Sequence, residues 1–509
     1  MSGTLPDMDL TVDITELNPD QIRELAIRLQ AEGRFRQTVI DKLTHELALL
    51  KRQKFAATSE AYTGEQQREL FETLDIDLAA VTAEIEQLVQ HPISAEPGRQ
   101  QPRRVRLPAE LPRTDVHHEP DSTLCRCGCQ MKRIGEDVCE KLDYQPGVFT
   151  VERHVRGKWV CHQCETLIQA PVPAQIIDKG IPTSGLLAQV LVAKYADHLP
   201  LYRQSGIFER AGFTIPDSTL SEWVGRCGVA LQPLVDALKR ELLNQPVLHA
   251  DETPLPMLKP GNGKTQRAYL WSYCSTPLSS MKAVVFDFAE SRGGKHAEQF
   301  LDRWRGTLVC DDFPGYKALF KSGITEAGCM AHARRKFHEL WANHSSQIAG
   351  EALDLYARLY AVEREVSLLA PGQRLAIRQM QAKPVADALH QWLLVQRQRV
   401  PGGGATFRAI DYSLNRWSAL TRYLNDPQVP IDNNWVENQI RPVALGRKNW
   451  MFAGSLRAGK RAAAIMSLIH SARLNGHDPY RYMKDVLERL PLQPFSRIGE
   501  LLPHNWKPA

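Results

Sequence analysis

The apolar positions of this chain change period several times, and each change marks a different kind of structure. Asn18-Pro19-Asp20 reads as a helix start, and residues 1–15 before it read as disordered. Ile40, Leu43, Leu47 and Leu50 then follow a 3-4-3 spacing, the seam of a short coiled coil. Over 65–90, Leu70, Leu74, Leu78, Val81, Ile85 and Leu88 fall on or near one helical face. The region 16–90 is thus helical. It serves as an oligomerisation arm or, alternatively, as a hairpin packed on itself. No apolar period survives over 91–120, where proline and arginine dominate, so this is a linker. Residues 176–245 are helical again. Within them LYRQSGIFERAGFTIPDSTLSEWV gives a helix, a glycine break and a second helix, which suits a helix-turn-helix or plain helical packing.

From 246 to 345 the pattern becomes strand-like. PVLHADE, RAYLWSYCS, KAVVFDFAE and GTLVCDDF are rich in β-branched and aromatic residues. An amphipathic helix over 296–304 precedes the fourth, and ITEAGCMAHARRKFHEL is a short strand running into a helix. Three strands, a helix, a strand and a helix is the order of a ribonuclease-H-like core. Residues 346–430 are helical, broken at Ala370-Pro371-Gly372 and Pro401-Gly402-Gly403-Gly404, and read as an insertion into that core. The core resumes over 431–490 with helices at 458–475 and 479–490, before a tail at 491–509. The expected architecture is multidomain α+β.

At 509 residues the chain is too long for one core. Its net charge of +5 says little, but the distribution says more. No Asp or Glu occurs from 438 to 477, whereas Arg441, Arg447, Lys448, Arg457, Lys460, Arg461 and Arg473 do. A one-sign stretch of this kind suits a polyanion. The opening residues are acidic and resemble no secretory signal, and no apolar run is long enough to span a bilayer. A cytoplasmic, reducing setting is expected, in which clustered cysteines bind metal more often than they form disulfides.

Such a cluster lies in 121–175. Cys125-Arg-Cys127 is followed, after a strand-like stretch, by Cys161-His-Gln-Cys164. Two close pairs around a β segment make a zinc ribbon, with four thiolates on one Zn²⁺. Cys127 is the firmer ligand of the first pair, and Cys125 is preferred over Cys129 as its partner.

The remaining chemistry is carboxylate. Asp251 in LHADETP and Asp311 in LVCDDFPGY end strand-like runs, and Glu437 in IDNNWVENQIRP opens a helix. Asp312 competes with Asp311, which is preferred because the following residues read as a turn. Three carboxylates from separate elements suit Mg²⁺, and two such ions can activate an attacking oxygen and stabilise a leaving one at phosphorus. Arg441 lies four residues after Glu437, on the same face if the helix continues, though Pro442 is expected to cut the helix short, and it would place a guanidinium beside the scissile phosphate. Arg447, Lys448, Lys460 and Arg461 would hold a DNA backbone, and Trp450 could stack on a base. Cys329-x-x-His332 has no second pair nearby. It reads as structural or DNA-facing, with His332 and Arg335 among the DNA contacts.

Asp251-Glu-Thr-Pro, Asp311-x-x-x-Gly315-Tyr316, AHARRKF (331–337) and above all IDNNWVENQIRPVALGRKNWMFAGS closely resemble the large transposase of the insertion-sequence-66 family. LKRQKF, GEDVCEKLDYQPG and LNGHDPYRYMKDVLERLP extend the resemblance over nearly the whole chain. It implies a DDE transposase with a ribonuclease-H-like fold and a helical insertion. Asp251, Asp311 and Glu437 map onto its three acids. Such an enzyme cuts at the ends of its element and joins the 3′-hydroxyls to target DNA, using Mg²⁺ or Mn²⁺. Expected partners are DNA, further copies of the chain on DNA, and small accessory proteins encoded beside it. A DNA-binding regulator with an inactive core, or a structure-specific nuclease, are the alternatives.

Overall fold

A computed structural model describes residues 19–56, 64–89, 107–109, 111–120, 122–124, 129–145, 147–178, 180–259, 264–344, 346–450 and 452–508. Helices α1 (Pro19–Ala56) and α2 (Gly64–Val89) pack on one another. The seam residues Leu43 and Leu50 are buried with Leu74, Val81 and Ile85, and with Leu258 and Phe452 from elsewhere in the chain. The expected oligomerisation seam is therefore occupied within one chain as a hairpin. Its length, a few turns, matches α2 better than it matches an extended partner.

A four-stranded sheet follows, made of β1 (Arg113–His118), β2 (Lys132–Gln145), β3 (Val148–Val160) and β4 (Leu167–Gln169). The β2–β3 hairpin turns at Gly147, whose φ of +88° suits glycine. β1 pairs parallel to β3 inside the stretch expected to be linker. Arg113 anchors it by donating to Glu140 of β2 at 2.9 Å. A linker reading from proline and arginine content cannot see a strand whose partner lies some forty residues on.

Helices α3 (Ser184–Tyr195), α4 (Leu201–Arg210) and α5 (Asp217–Leu243) come next. α5 is a core helix. α2 and α15 (Leu456–Leu474) both pack against it, and its Gly225 and Gly228 let Ile76 and Arg461 approach closely. The glycine break of the sequence pattern is real, with Gly212 at φ +94°, but most of the helix after it is covered.

The second sheet contains β5 (Val247–Lys259), β6 (Lys264–Ser275), β7 (Val284–Ala289), β8 (Thr307–Val309) and β9 (Thr325–Ala327), in the order β7-β6-β5-β8-β9. The β7–β6 and β6–β5 pairs are antiparallel, and the β5–β8 and β8–β9 pairs are parallel. Helix α6 (Lys295–Leu301) connects β7 to β8, and α7 (Lys317–Lys321) connects β8 to β9. Side chains alternate across the sheet. Leu248, Ala250, Leu308 and Cys310 join the main core with α5 and α15. Val247, Val309 and Ala327 join a second core on the opposite face. The outer edge of β7 would expose unpaired amides. Ser471 and Ser467, one turn apart on α15, accept from Val284 N and Phe286 N at 3.0 and 2.8 Å and close that edge.

The second core belongs to a helical block: α8 (Met330–His344), α9 (Gln347–Val366), α10 (Pro371–Ile377), a π turn (Arg378–Ala382), α11 (Lys383–Arg399), α12 (Ala405–Asn415) and α13 (Trp417–Leu420). The chain then returns through α14 (Asn434–Trp450), α15 and α16 (Pro479–Arg489), after which short 3-10 turns place Ile498, Leu501, Leu502 and Trp506 in the main core. Pro442 does not end α14, contrary to expectation. Val436, Ile440, Val443 and Gly446 are buried along one face, which holds the helix through the missing hydrogen bond.

Candidate active site

Asp251 is not at the end of its strand, because β5 pairs with β6 as far as Lys259. It lies where β5 loses its other neighbour. The parallel ladder with β8 pairs His249 with Val309 and stops there. Two residues further on stand Asp251 and Asp311, so the shared register and alternation bring both to the face of Val247 and Val309. Beyond that point β5 is met by another segment. Leu258 N donates to Ala453 O, and Ala453 N donates to Pro256 O, both at 2.8 Å. Pro254 and Pro256 fall in this open stretch of edge, where prolines are tolerated.

Glu437 is brought in by Asn433, the residue before α14. Its Nδ2 donates to Ala250 O at 3.0 Å, its Oδ1 lies 2.7 Å from His249 Nδ1, and its backbone N–H donates to Cys329 Sγ at 3.2 Å. The first turn of α14 is thereby fixed to β5 one residue before Asp251. Burial pushes the pKa of His249 down to about 4, so the ring is neutral at physiological pH. Sequence reasoning passes over both residues, although the Asn-Asn doublet before Glu437 and the histidine two before Asp251 are visible signals.

Burial and the charges of Glu252, Asp311 and Glu437 raise the Asp251 carboxyl well above the usual carboxylate range. The cations that could relieve it are engaged elsewhere. Glu252, whose side chain is fully buried, takes Arg292 at 2.6 Å and accepts the Tyr316 hydroxyl at 2.7 Å. Asp312 takes Arg416, with Lys317 at 3.7 Å. In each acidic doublet the second member is thus a structural anchor. Among the described residues, the first accepts only a neighbouring amide: Glu252 N for Asp251 at 2.9 Å, and Phe313 N for Asp311 at 3.0 Å. Glu437 lies 3.6 Å from Arg335 and 3.8 Å from His332 Nδ1, and its Oε1 is buried with no hydrogen-bond partner. Three carboxylates with this little compensation suit a hard divalent cation.

The basic residues divide. Arg441 and Lys448 are exposed on α14, and Lys460 is exposed on α15. Arg335 on α8 is half-exposed beside Glu437. Arg447 donates to Pro254 O, which ties α14 to β5. Arg461, expected on a DNA backbone, is instead buried and paired with Asp77 of α2 at 2.8 Å. Arg457 is paired with Glu46 and Glu84 of the first hairpin at 2.9 and 2.5 Å. Trp450, expected to stack on a base, lies partly buried against His198, donating to its Nδ1 at 3.3 Å. The one-sign stretch is partly answered by acids more than 350 residues away, which local charge counting cannot reveal.

In the first sheet Cys161 is buried and Cys164 exposed, in a turn closed by Glu165 N donating to Cys161 O at 2.9 Å. Cys129 donates to Gln163 Oε1 at 2.8 Å and so faces that turn. Cys125 and Cys127 lie outside the described residues.

The description "Transposase IS66 family" matches residues 179–461, and "IS66 C-terminal element" matches 467–504. Residues 122–165 match the zinc-finger binding domain of transposase IS66, which supports zinc in the first sheet. Residues 42–116 match "Transposase C of IS166 homeodomain". A DNA-processing protein is the class these matches define, with DNA as its partner. The chain belongs to the IS66 family of transposases. Similar proteins of Sinorhizobium fredii are all uncharacterized. One, y4jD, is 38% identical over 79% of this chain and 81% of its own length. Another, y4qI, is 34% identical over 94% of this chain and 92% of its own. Among the described residues, no helix is long and apolar enough to cross a membrane.

Proposed function

We propose that the chain is a DDE transposase that binds the ends of its element, cleaves there and joins the 3′-hydroxyls to target DNA. The second sheet and the helices around it are read as a ribonuclease-H-like core, interrupted between Asp311 and Glu437 by the helical block. The observation that carries the reading is Asp251, a buried carboxyl set against Asp311 and Glu437 while the nearby arginines serve other acids.

Asp251, Asp311 and Glu437 would hold Mg²⁺ or Mn²⁺, two per site. The ions would activate the attacking oxygen and stabilise the leaving oxygen at phosphorus. Water and then a DNA 3′-hydroxyl are the nucleophiles, so no protein residue becomes attached to DNA. Arg335 and Arg441 flank Glu437 on α8 and α14, where their guanidiniums can hold non-bridging phosphate oxygens. Lys448 and Lys460 extend the basic surface along the backbone. Asn433 and the Glu252–Arg292–Tyr316 cluster position the acids without touching DNA.

The test is a strand-transfer assay with a labelled terminal-repeat duplex, a supercoiled target and Mg²⁺ or Mn²⁺. Joined product from the wild type, absent with Asp251→Asn, is expected. Sequence-specific binding with no cutting, even with the accessory proteins added, would favour the regulator. Cutting of branched DNA regardless of sequence, with no joining, would favour a nuclease. For the ribbon, Cys161→Ser with Cys164→Ser should lose about one zinc per chain by metal analysis.

A further inference from the structure

Cys329, His332 and Glu437 come together at the edge of this site. One ligand atom from each, the cysteine sulfur, a histidine ring nitrogen and a carboxylate oxygen, lies within 4.8 Å of the others. Around a tetrahedral zinc such atoms stand about 3.3–3.7 Å apart, given Zn–ligand lengths of about 2.0–2.3 Å. The required closure is small. Cys329 and His332 are three residues apart at the start of α8, so they present to one side of it. Glu437 faces them from the first turn of α14.

Two further observations single the cluster out. His332 Nδ1 and Glu437 Oε1 are both buried and both lack a hydrogen-bond partner. Buried polar atoms are rarely left in that state. They point at one another across 3.8 Å, too far for a hydrogen bond and a fitting separation for two ligands of one ion. The sulfur, fully buried, already receives the Asn433 N–H at 3.2 Å, the kind of contact that stabilises a metal-bound thiolate.

We propose that Cys329, His332 and Glu437 form a binding site for a thiophilic divalent cation, zinc foremost, whose occupancy withdraws Glu437 from Asp251 and Asp311. Mixed sulfur, nitrogen and oxygen donors select zinc over magnesium, whereas the carboxylates alone select magnesium. Glu437 belongs to both sets, and a soft ion that draws its Oε1 toward Cys329 and His332 competes with the Asp251–Asp311 site for this carboxylate. The proposal rests on the reading of Glu437 as the third acid of the transposase site. It makes the same residue the point at which a soft metal arrests the reaction.

Co²⁺ is the probe. Full-length protein already carrying its ribbon zinc is titrated with Co²⁺, and the thiolate-to-cobalt charge-transfer band is followed. The wild type should show this band, and Cys329→Ala should lose it. His332→Ala and Glu437→Gln should each weaken Co²⁺ binding by about 10-fold or more. Cobalt binding without a thiolate band overturns the site, as does a band unchanged in Cys329→Ala. In Mg²⁺ strand-transfer reactions, added Zn²⁺ should slow the wild type more than Cys329→Ala, and a chelator should reverse it. Equal inhibition of the two proteins would overturn the withdrawal of Glu437. A cobalt–thiolate band together with no strand transfer in Mg²⁺ and no added Zn²⁺, even with the accessory proteins present, would leave the metal site standing and sink the transposase reading instead.

Discussion

The carboxylate cleft and the helical block beside it both bury charge, and they do so in opposite ways. In the block, Arg378 is fully buried in the π turn. It donates to Glu363 at 2.8 and 2.6 Å, and to the carbonyls of Tyr423, Asp426 and Val429 at 2.8–3.0 Å. All of its donor nitrogens have partners, so the charge fastens three segments of the block together. In the cleft, Asp251 is left facing other acids, and the arginines that could neutralise it are bound by Glu252 and Asp312. A compensated buried charge is a fastening. An uncompensated one is tolerated only because the surrounding fold holds it, and it is poised for a cation from outside.

Asp251→Asn, Asp311→Asn or Glu437→Gln should each lower strand cleavage by at least about 10³-fold while end binding is retained, as read by cleavage and gel-shift assays. Cleavage near wild-type levels in any of the three would remove that residue from the site.

Arg378→Met should destabilise the fold by about 3–5 kcal/mol in denaturant unfolding, because Glu363 and three carbonyls would be left buried and unpaired. Asp251→Asn should act in the opposite direction. The wild-type carboxyl holds its proton more tightly folded than unfolded, since its pKa is raised in the native state. Its ionisation therefore costs stability as pH rises from the ordinary carboxylate range to the raised value. The stability gap in favour of Asp251→Asn should open above the ordinary range and close below it. A gap of the same size at every pH would mean that the charge is not its cause.

Mg²⁺ should stabilise the wild type by about 2.7 kcal/mol at a hundred times its dissociation constant, and Asp251→Asn by much less. Equal thermal shifts would place the ion elsewhere. The smallest effects belong to the exposed cations. Arg441→Ala and Lys448→Ala should each weaken end binding modestly. Each should also reduce the slope of log affinity against log salt by about 0.9 for every phosphate left without its cation. Arg461→Ala should leave that slope unchanged and lower stability instead, because its partner is Asp77.

Much of the fold is legible in the sequence because local pattern sets it. The starts of the strands that lead to Asp251 and Asp311, the helix start at Pro19 and the helices α15 and α16 stand within a few residues of where local pattern puts them, whereas β5 runs on well past its expected end to Lys259. β1 escapes such a reading because its partner strand is distant. Propensity alone would stop α14 at Pro442, since it takes no account of the buried face that carries the helix past it. For the site, the acids announce themselves, but their division of labour does not. Asp251 and Glu252 are neighbours of identical charge, and only strand alternation and the place of Arg292 give them different tasks. The same holds for Asp311 and Asp312, separated by Arg416 from the helical block. Cys329 and His332 look isolated in sequence because their third member, Glu437, is over a hundred residues away.

By itself the sequence determined most of the segments that would be helix or strand, β1 and the far half of α14 excepted, and which side chains could bear metal or phosphate chemistry. Period, turn residues and functional groups are local properties. Which of two adjacent acids faces the cleft, which arginines stay exposed, and which residues meet Glu437 were decided only by tertiary structure. Those outcomes depend on burial and on charges from distant segments, and neither exists until the chain has folded.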